Sequence, residues 1–386
     1  MCECSGTQND SKPRSSASLA RTYGRIEVSV GKMKTPYSYE PPYPMNLKSR
    51  IVEEIRSAGP MPFERFMKIS LYDADGFFGG KTLRSEKGGD FLTSPEVSSL
   101  FGETLAEYVR EERERIGEPF QLVEVGAGSG SLLRPLLDVL DVDALAVEAS
   151  PAARERLSEF VDVSPVMPES VRGVVVANEL LDNLPMAVAQ RVDGSWRERW
   201  VGLDGDDLAF VDADPRVDAV DWLDAHAGDV ADNGWVEVQL AAQRWLLTAF
   251  ESMEAGSIVL IDYGDTAENL LPRRRDGTLR TYRSHHLGPH PLDEPGKTDI
   301  TADVNFSALI AMAREAGAEV SLHRQDDFLS EFGLRERLSK LRRAELQATQ
   351  SRNETERLRL RTLKTEAETL LHQRGLGDFR VLVIVR

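Results

Sequence analysis

Two carboxylates and three glycines in this chain have the types and spacing for ligand chemistry. Glu124 stands two residues ahead of Gly126, Gly128 and Gly130 in the stretch Gln121-Leu122-Val123-Glu124-Val125-Gly126-Ala127-Gly128-Ser129-Gly130. Glu148 closes a second apolar run, Ala144 to Val147. Leu122 to Val125 reads as a buried strand and Ser131 to Leu137 as a helix, so the glycines occupy the first turn of a doubly wound sheet. Glycine lets that backbone turn tightly and lets a ligand approach main-chain N–H groups. An acid at the end of the following strand can accept hydrogen bonds from both hydroxyls of a ribose. A dinucleotide site reads G-x-G-x-x-G; here the spacing is G-x-G-x-G, and the carboxylate of Glu124 would repel a pyrophosphate. A cationic nucleoside that carries an amino group and no phosphate fits better, and S-adenosylmethionine has that chemistry. The plainer alternative is a glycine turn that only packs helix on sheet. Acids at both consecutive strands favour the ligand.

Further polar groups fall where the same crevice would lie. Ligands of open α/β sheets sit beyond the carboxyl ends of the strands. A third strand over 173–177 runs into Asn178-Glu179-Leu180-Leu181-Asp182-Asn183-Leu184-Pro185, and Ile258 to Ile261 runs into Asp262-Tyr263-Gly264. Asn178 could equally be a helix N-cap with an acid in the first turn, and the two roles are compatible. Residues 276–306 lack regular periodicity but include Arg280, Arg283, Asp299, Asp303 and Asn305, which suggests a functional lid or a segment without fixed structure. His285 and His286 have no close acid–histidine spacing, so no metal site is expected.

The elements that must position these groups are legible as patterns. Leu47 to Ala58 and Met61 to Met67 read as helices separated by Gly59-Pro60. A loop of small and polar residues, Gly88 to Glu96, leads into a helix from Val97 to Arg115 with Phe101, Leu105 and Val109 on one face. Val188 to Val201 alternates as a strand pair about Asp193-Gly194. Residues 203–233 are rich in Asp and read as a bland surface insertion. Val236 to Val238 reads as a strand, Ala241 to Met253 and Ser307 to Ala316 as helices. Leu334 to Leu371 is a charged helical stretch broken near Ser351-Arg352-Asn353, and Phe379 to Val385 is a closing strand. The division expected is a disordered leader at 1–45, an N-terminal helical cap at 46–119 over the ligand edge, and a sheet domain at 120–386 with an acidic insertion around 190–250.

Composition narrows the classes. The 386 residues suffice for a large core, and 41% are hydrophobic, as in ordinary globular chains. The net charge of −17 disfavours a nonspecific hold on nucleic acid. No apolar run approaches the roughly 20 residues that span a bilayer. Both cysteines, Cys2 and Cys4, lie in the leading tail, which leaves no disulfide framework and no cysteine zinc site. That tail lacks an apolar signal core. It reads as a leader or as translation from an upstream start, with a weak transit peptide as the alternative.

Together the segments resemble the class I S-adenosylmethionine-dependent methyltransferases of the MidA type, whose mitochondrial member is the complex I assembly arginine methyltransferase. The matching pieces are Gly89 to Glu96 with Phe101-Gly102-Glu103, Glu124 to Gly130, and Asn178 to Pro185. They continue through Ile261-Asp262-Tyr263-Gly264, Gly277 to Tyr282, Pro295 to Thr301, Val304-Asn305-Phe306 and Leu376 to Val381. The chain departs at Asn183, where alanine is usual, and at Asn305, where aspartate is usual. The resemblance implies an α/β, Rossmann-like class I sheet with an N-terminal helical cap. It also implies a protein arginine as acceptor, in a subunit of the respiratory NADH dehydrogenase. A small-molecule methyltransferase, or an assembly factor that binds the cofactor with little catalysis, is the alternative. The site would be cytoplasmic in a bacterium or archaeon and in the mitochondrial matrix in a eukaryote. On this reading Gly126, Ala127, Gly128 and Gly130 admit the methionine part and Glu124 meets its ammonium through water. Glu148 holds the ribose, and Asn178 and Thr93 complete the pocket. A guanidinium needs carboxylates to balance and align it; Glu179 and Asp182 are expected to do so, with Asp262 and Asp299 as alternates.

Overall fold

Leu122, Val123 and Val125 are buried in a strand inside a seven-stranded sheet. The computed structural model describes residues 46–79, 93–283 and 286–386. The leader expected at 1–45, the Gly88–Leu92 part of the polar loop and His285 lie outside them. The sheet strands are β1 (Gln121–Val125), β2 (Asp143–Val147), β3 (Asp162–Ser164), β4 (Val171–Asn178), β5 (Met253–Asp262), β6 (Glu319–Arg324) and β7 (Arg380–Val385), in the spatial order β6-β7-β5-β4-β1-β2-β3. Neighbours from β5 through β3 pair in parallel, and β7 runs antiparallel to both β5 and β6.

A parallel sheet needs both faces covered, and alternation within each strand supplies two apolar faces. Leu122, Val174, Val176, Val259 and Ile261 join one core, with Phe101, Leu105 and Val109 of the helix Ser99–Ile116. Val123, Val125, Val175, Ile258 and Leu260 join the other, with Leu246 and Phe250 of the helix Leu240–Ser252 and Leu309 of Phe306–Glu315. The helix Ser99–Ile116, expected as the end of the cap, is therefore part of the sheet's own covering layer. The charged stretch near the C-terminus forms two helices, Leu334–Gln350 and Glu354–Leu370, interrupted where the sequence places Ser351-Arg352-Asn353.

The first two helices, Leu47–Ala58 and Phe63–Tyr72, bury Ile51, Phe63, Phe66 and Met67 against a second sheet. In that sheet Met61–Pro62, Ser195–Asp204, Ala187–Val192 and Trp235–Val238 lie side by side, and Asp207–Ala213 also pairs with Ser195–Asp204. Asp193 and Gly194 both have positive φ, +49° and +75°, as a tight hairpin turn requires. Residues 203–233 are not a bland surface insertion. Leu208 belongs to the core under the first helices, and Ala219, Trp222 and Leu223 of the helix Val217–His226 form a further core with Ala187, Val236 and Val238.

Nor is 276–306 an open lid. Arg280–Arg283 pairs with Asp299–Thr301 and with His286–Leu287, and Gly264–Asp265 pairs with Val304–Asn305. Thr281, Asp299, Ile300, Thr301 and Asp303 are all buried. A buried ion pair fixes the start of this strap. Glu237 Oε2 accepts from Arg274 Nη1 at 2.5 Å, and Oε1 accepts from the backbone N–H groups of Thr278 (2.6 Å) and Leu279 (3.1 Å). The side chains are 1% and 2% exposed, so removing one partner strands the other in a dry interior. Glu237→Ala should lower unfolding free energy by about 3–5 kcal/mol in urea titration. A loss below about 1 kcal/mol would mean that packing, not this pair, holds the strap.

Among the described residues no helix is long and apolar enough to cross a membrane.

Candidate active site

The turn after β1 depends on its glycines. Gly126, Gly128 and Gly130 have φ of +75°, +53° and +77°, a region that side chains disfavour. A Cβ on Gly126 would stand 3.1 Å from Leu180 Cδ1, and one on Gly130 would stand 2.7 Å from the Phe160 ring. Gly126 N–H donates to Val147 O at 2.8 Å, which ties the turn to the end of β2. The next helix, Leu133–Val139, begins slightly later than the apolar pattern alone suggests.

Glu148 leaves β2 half-buried at the carboxyl edge and does not enter either core. Its Oε2 accepts from Gly128 N–H at 2.9 Å and its Oε1 from Ser150 N–H at 2.7 Å. An ionised carboxylate has about four lone-pair sites. These two bonds fix its orientation and leave acceptor capacity for two hydroxyls. Glu124 is 4% exposed, and its Oε2 has no hydrogen-bond partner. Burial, then the nearby Glu148, pushes its carboxyl up to about 8. Buried polar atoms are nearly always paired, so an orphaned carboxylate oxygen beside a glycine turn matches the missing ammonium of a ligand. Asn178 presents a second orphan: its Oδ1 is buried without a partner while its Nδ2 donates to Glu179 Oε1 at 3.3 Å. The donor set therefore fits S-adenosylmethionine. Thr93 has a structural duty beside its expected one. It caps the short helix Ser94–Val97, with Glu96 accepting from its N–H at 3.2 Å.

A second group of acids is built on the loop after β4. Glu179 continues the ladder through its N–H to Ile261 O at 2.8 Å, but with φ +50°. A left-handed glutamate costs on the order of 1 kcal/mol and is held only where its surroundings insist on it. Its half-buried carboxyl, near the Ser94 backbone N–H, is pushed up to about 8 by loss of solvent and then by Asp182. Asp182 Oδ2 accepts from Thr301 Oγ1 at 2.6 Å and from the Tyr263 hydroxyl, while Oδ1 is buried without a partner. Burial raises the Asp182 carboxyl, although the two hydroxyls work against that rise. Asp299 Oδ1 accepts from Asn183 Nδ2 at 2.8 Å, and burial followed by Asp182 holds its carboxyl well above the usual range.

Asp262 lies at the centre but faces the main chain. Its Oδ2 accepts from the N–H groups of Leu181 (3.0 Å) and Asp182 (3.3 Å), and its Oδ1 from that of Tyr263 (3.0 Å). Three accepted main-chain bonds make Asp262 the shaper of the turn Leu181–Asn183, with one lone-pair site left on Oδ1. Burial, then Asp182 and Glu179, keeps its carboxyl well above the ordinary value. Four residues with no role expected from sequence complete the group. Tyr263 and Thr301 position Asp182. Asn183, a departure from the family pattern, grips Asp299 and the Ile300 carbonyl (3.1 Å), which an alanine could not do. Tyr72 donates to Asn183 O at 3.1 Å. Its phenol is pushed up by loss of solvent and then by Asp182, Asp299 and Glu148, although 37% of the residue faces solvent. Asn183, Tyr263 and Thr301 lie in segments that the sequence singles out, but no local pattern gives their roles, or marks Tyr72, because their partners are distant in the chain. The other departure, Asn305, caps the helix Phe306–Glu315 and donates to His226 O at 2.9 Å.

Among the described residues, Glu124, Glu179, Asp182, Asp262 and Asp299 form no ion pair with Lys or Arg. The nearby Arg280, over the Tyr263 ring at 5.6 Å, is committed to Asp303. Buried acids this numerous, without a cation among the described residues, suit a cationic occupant.

This sheet order, the glycine turn and the acids that follow it define a Rossmann-like methyltransferase dependent on S-adenosylmethionine. The chain belongs to the family described as "Putative S-adenosyl-L-methionine-dependent methyltransferase", whose model matches residues 104–323. It is 28% identical to the human protein arginine methyltransferase NDUFAF7, mitochondrial, over 75% of this chain and 74% of that one. It is 26% identical to the Drosophila melanogaster homologue, also named mitochondrial, over 70% of this chain and 71% of the relative. A crystal structure from Burkholderia thailandensis, bound to S-adenosyl-homocysteine, aligns with a TM-score of 0.79 at 28% identity, covering 88% of this chain and 92% of that one.

Two measurements test the cofactor side. Glu148→Ala should weaken S-adenosylhomocysteine binding about ten- to a hundredfold by calorimetry; unchanged affinity would remove Glu148 from the ribose site. Glu124 should make cofactor affinity rise with pH. Its folded value of about 8 lies above the usual 4.5, so between those values the free folded protein holds a proton that the unfolded chain has released. Folding stability therefore falls as pH rises through this window, whereas a cationic ligand gains a charged partner and expels the proton. Glu124→Gln should flatten the pH dependence of affinity and reduce that of stability, to which Glu179 also contributes. Proton release on binding that is the same in wild type and Glu124→Gln would refute this.

Proposed function

We propose that the methyl acceptor is the guanidinium of an arginine in a protein. The observation that carries this reading is the trio Glu179, Asp182 and Asp299. These acids, two beyond β4 and one on the strap, act on one another and lack cationic partners among the described residues, where Asp182 also keeps one buried oxygen unpaired. The names of the mitochondrial relatives support the same choice.

When bound, S-adenosylmethionine supplies a methyl group activated by its sulfonium. The protein supplies position and charge. Gly126, Ala127, Gly128 and Gly130 leave room along the turn, Glu124 and Asn178 meet the amino-acid end, Glu148 holds the sugar, and Thr93 closes the rim. Glu179 and Asp182 accept hydrogen bonds from the guanidinium and align one nitrogen, and Asp299 adds charge behind them. Free guanidinium has a pKa of roughly 13.8, so it arrives charged. Its arrival favours ionised Glu179, whose carboxyl is poised near 8 in the free protein, within reach of neutral pH. That oxygen is suited to take the proton that the methylated nitrogen sheds. In a eukaryotic source the reaction would take place in the mitochondrial matrix, and in a bacterial or archaeal one in the cytoplasm.

Glu179→Gln preserves size and hydrogen bonding but not charge. It should retain S-adenosylhomocysteine affinity and lower kcat on arginine peptides by about 10²- to 10⁴-fold. Full turnover would take Glu179 out of the reaction.

A further inference from the structure

A cavity of about 510 Å³ opens beside the acid cluster, with Tyr72 as one of its walls. Tyr72 also bonds Asn183 O, and Pro185, two residues further along the same loop, lines the cavity as well. The two spaces thus share a boundary. Their charge is opposite. In a chain of net charge −17, this cavity is lined by Arg65, Lys68, Arg216 and Arg244 against the single carboxylate of Glu64. Glu64 Oε2 accepts from Arg216 and Oε1 from Arg244, each at 3.1 Å, and Arg216 is also paired with the buried Glu198 at 3.1 Å. Arg65 pairs with Glu54 at 2.7 Å, across the cavity rim on the helix Leu47–Ala58. Lys68 is exposed and has no partner among the described residues.

We infer that this basic cavity receives acidic side chains of the acceptor protein that flank the methylated arginine. The inference rests on the arginine-acceptor reading and adds a specificity to it. The acid cluster takes the guanidinium, and the neighbouring wall takes the carboxylates beside it. A substrate segment is then recognised as a cation next to anions, and a uniformly basic segment, which the overall negative field would attract, is turned away at the cavity. Lys68 is the specificity-determining residue, because among the described residues of this wall its ammonium alone has no carboxylate partner and can pair with an incoming one. Arg244 adds field while pairing with Glu64, and Arg216 is already balanced by Glu64 and Glu198.

The test uses the full chain and three sets of arginine peptides that differ only in flanks: glutamate, glutamine or lysine, scanned along both sides of the target. Glutamate flanks should raise kcat/KM about three- to tenfold over glutamine, through KM, and the advantage should shrink as salt rises. Lys68→Glu should abolish that preference with kcat and S-adenosylhomocysteine affinity maintained, and Lys68→Arg should restore it. Lys68 is exposed on the helix Phe63–Tyr72, and an unchanged urea midpoint for both variants checks that folding is not at stake. Equal kcat/KM across the three flanks, or a preference unaltered in Lys68→Glu, overturns the inference while leaving the arginine reading intact. Binding of S-adenosylhomocysteine with no transfer to any peptide overturns the arginine reading, and the inference with it.

Discussion

The three main-chain hydrogen bonds accepted by Asp262 are the constraint on which the site depends. They come from Leu181, Asp182 and Tyr263 and clamp the end of β5 to the turn that follows β4. Without that clamp the turn Leu181–Asn183 has no fixed relation to the sheet. Asp182 would lose its approach to Tyr263 and Thr301, and Asn183 its grip on Asp299. One carboxylate, buried and facing backbone, thus sets the geometry of two others, Asp182 and Asp299. Its neighbours Asp182 and Glu179 press on its charge, so the clamp and the site are electrostatically one object.

That object is costly to keep. Several acids share a region poor in water, and no lysine or arginine among the described residues neutralises the five at its centre. Buried carboxylates without partners disfavour the folded state, and functional sites are where such penalties are tolerated. Here the penalty is relieved by protonation: Glu124 and Glu179 both stay neutral toward pH 8 in the free protein. A cofactor bearing an ammonium and a sulfonium, followed by a guanidinium, would restore charge balance in two stages. Binding energy is thereby drawn from a strain already present in the fold.

The second sheet and the strap give the crevice its far wall. The pair Arg274–Glu237 joins them, and Asp299 and Thr301 reach the acids from the strap. Tyr72 comes from the opposite end, at the close of the helix Phe63–Tyr72. The cap, the second sheet and the strap meet around one turn of the methyltransferase sheet, which is why residues more than a hundred positions apart, such as Tyr72 and Asn183, share a hydrogen bond.

The sequence by itself determined the parts whose physics is local. The strand–turn–helix around Gly126, Gly128 and Gly130 was legible because only glycine suits a backbone with positive φ there, and Glu148 because it directly ends an apolar strand. The hairpin at Asp193-Gly194 and the helix break at Ser351 to Asn353 follow from turn chemistry. Tertiary structure decided what each acid does. Asp182, Asp262 and Asp299 look alike along the chain, yet one is presented by two hydroxyls, one is spent on backbone amides and one is held by Asn183. It also decided that residues 203–233 and 276–306 are core-forming, because their strands gain partners only across long sequence separations, where local periodicity carries no signal. Hydrogen bonding and burial assign a carboxylate its role, and both are properties of the folded neighbourhood rather than of the residue type.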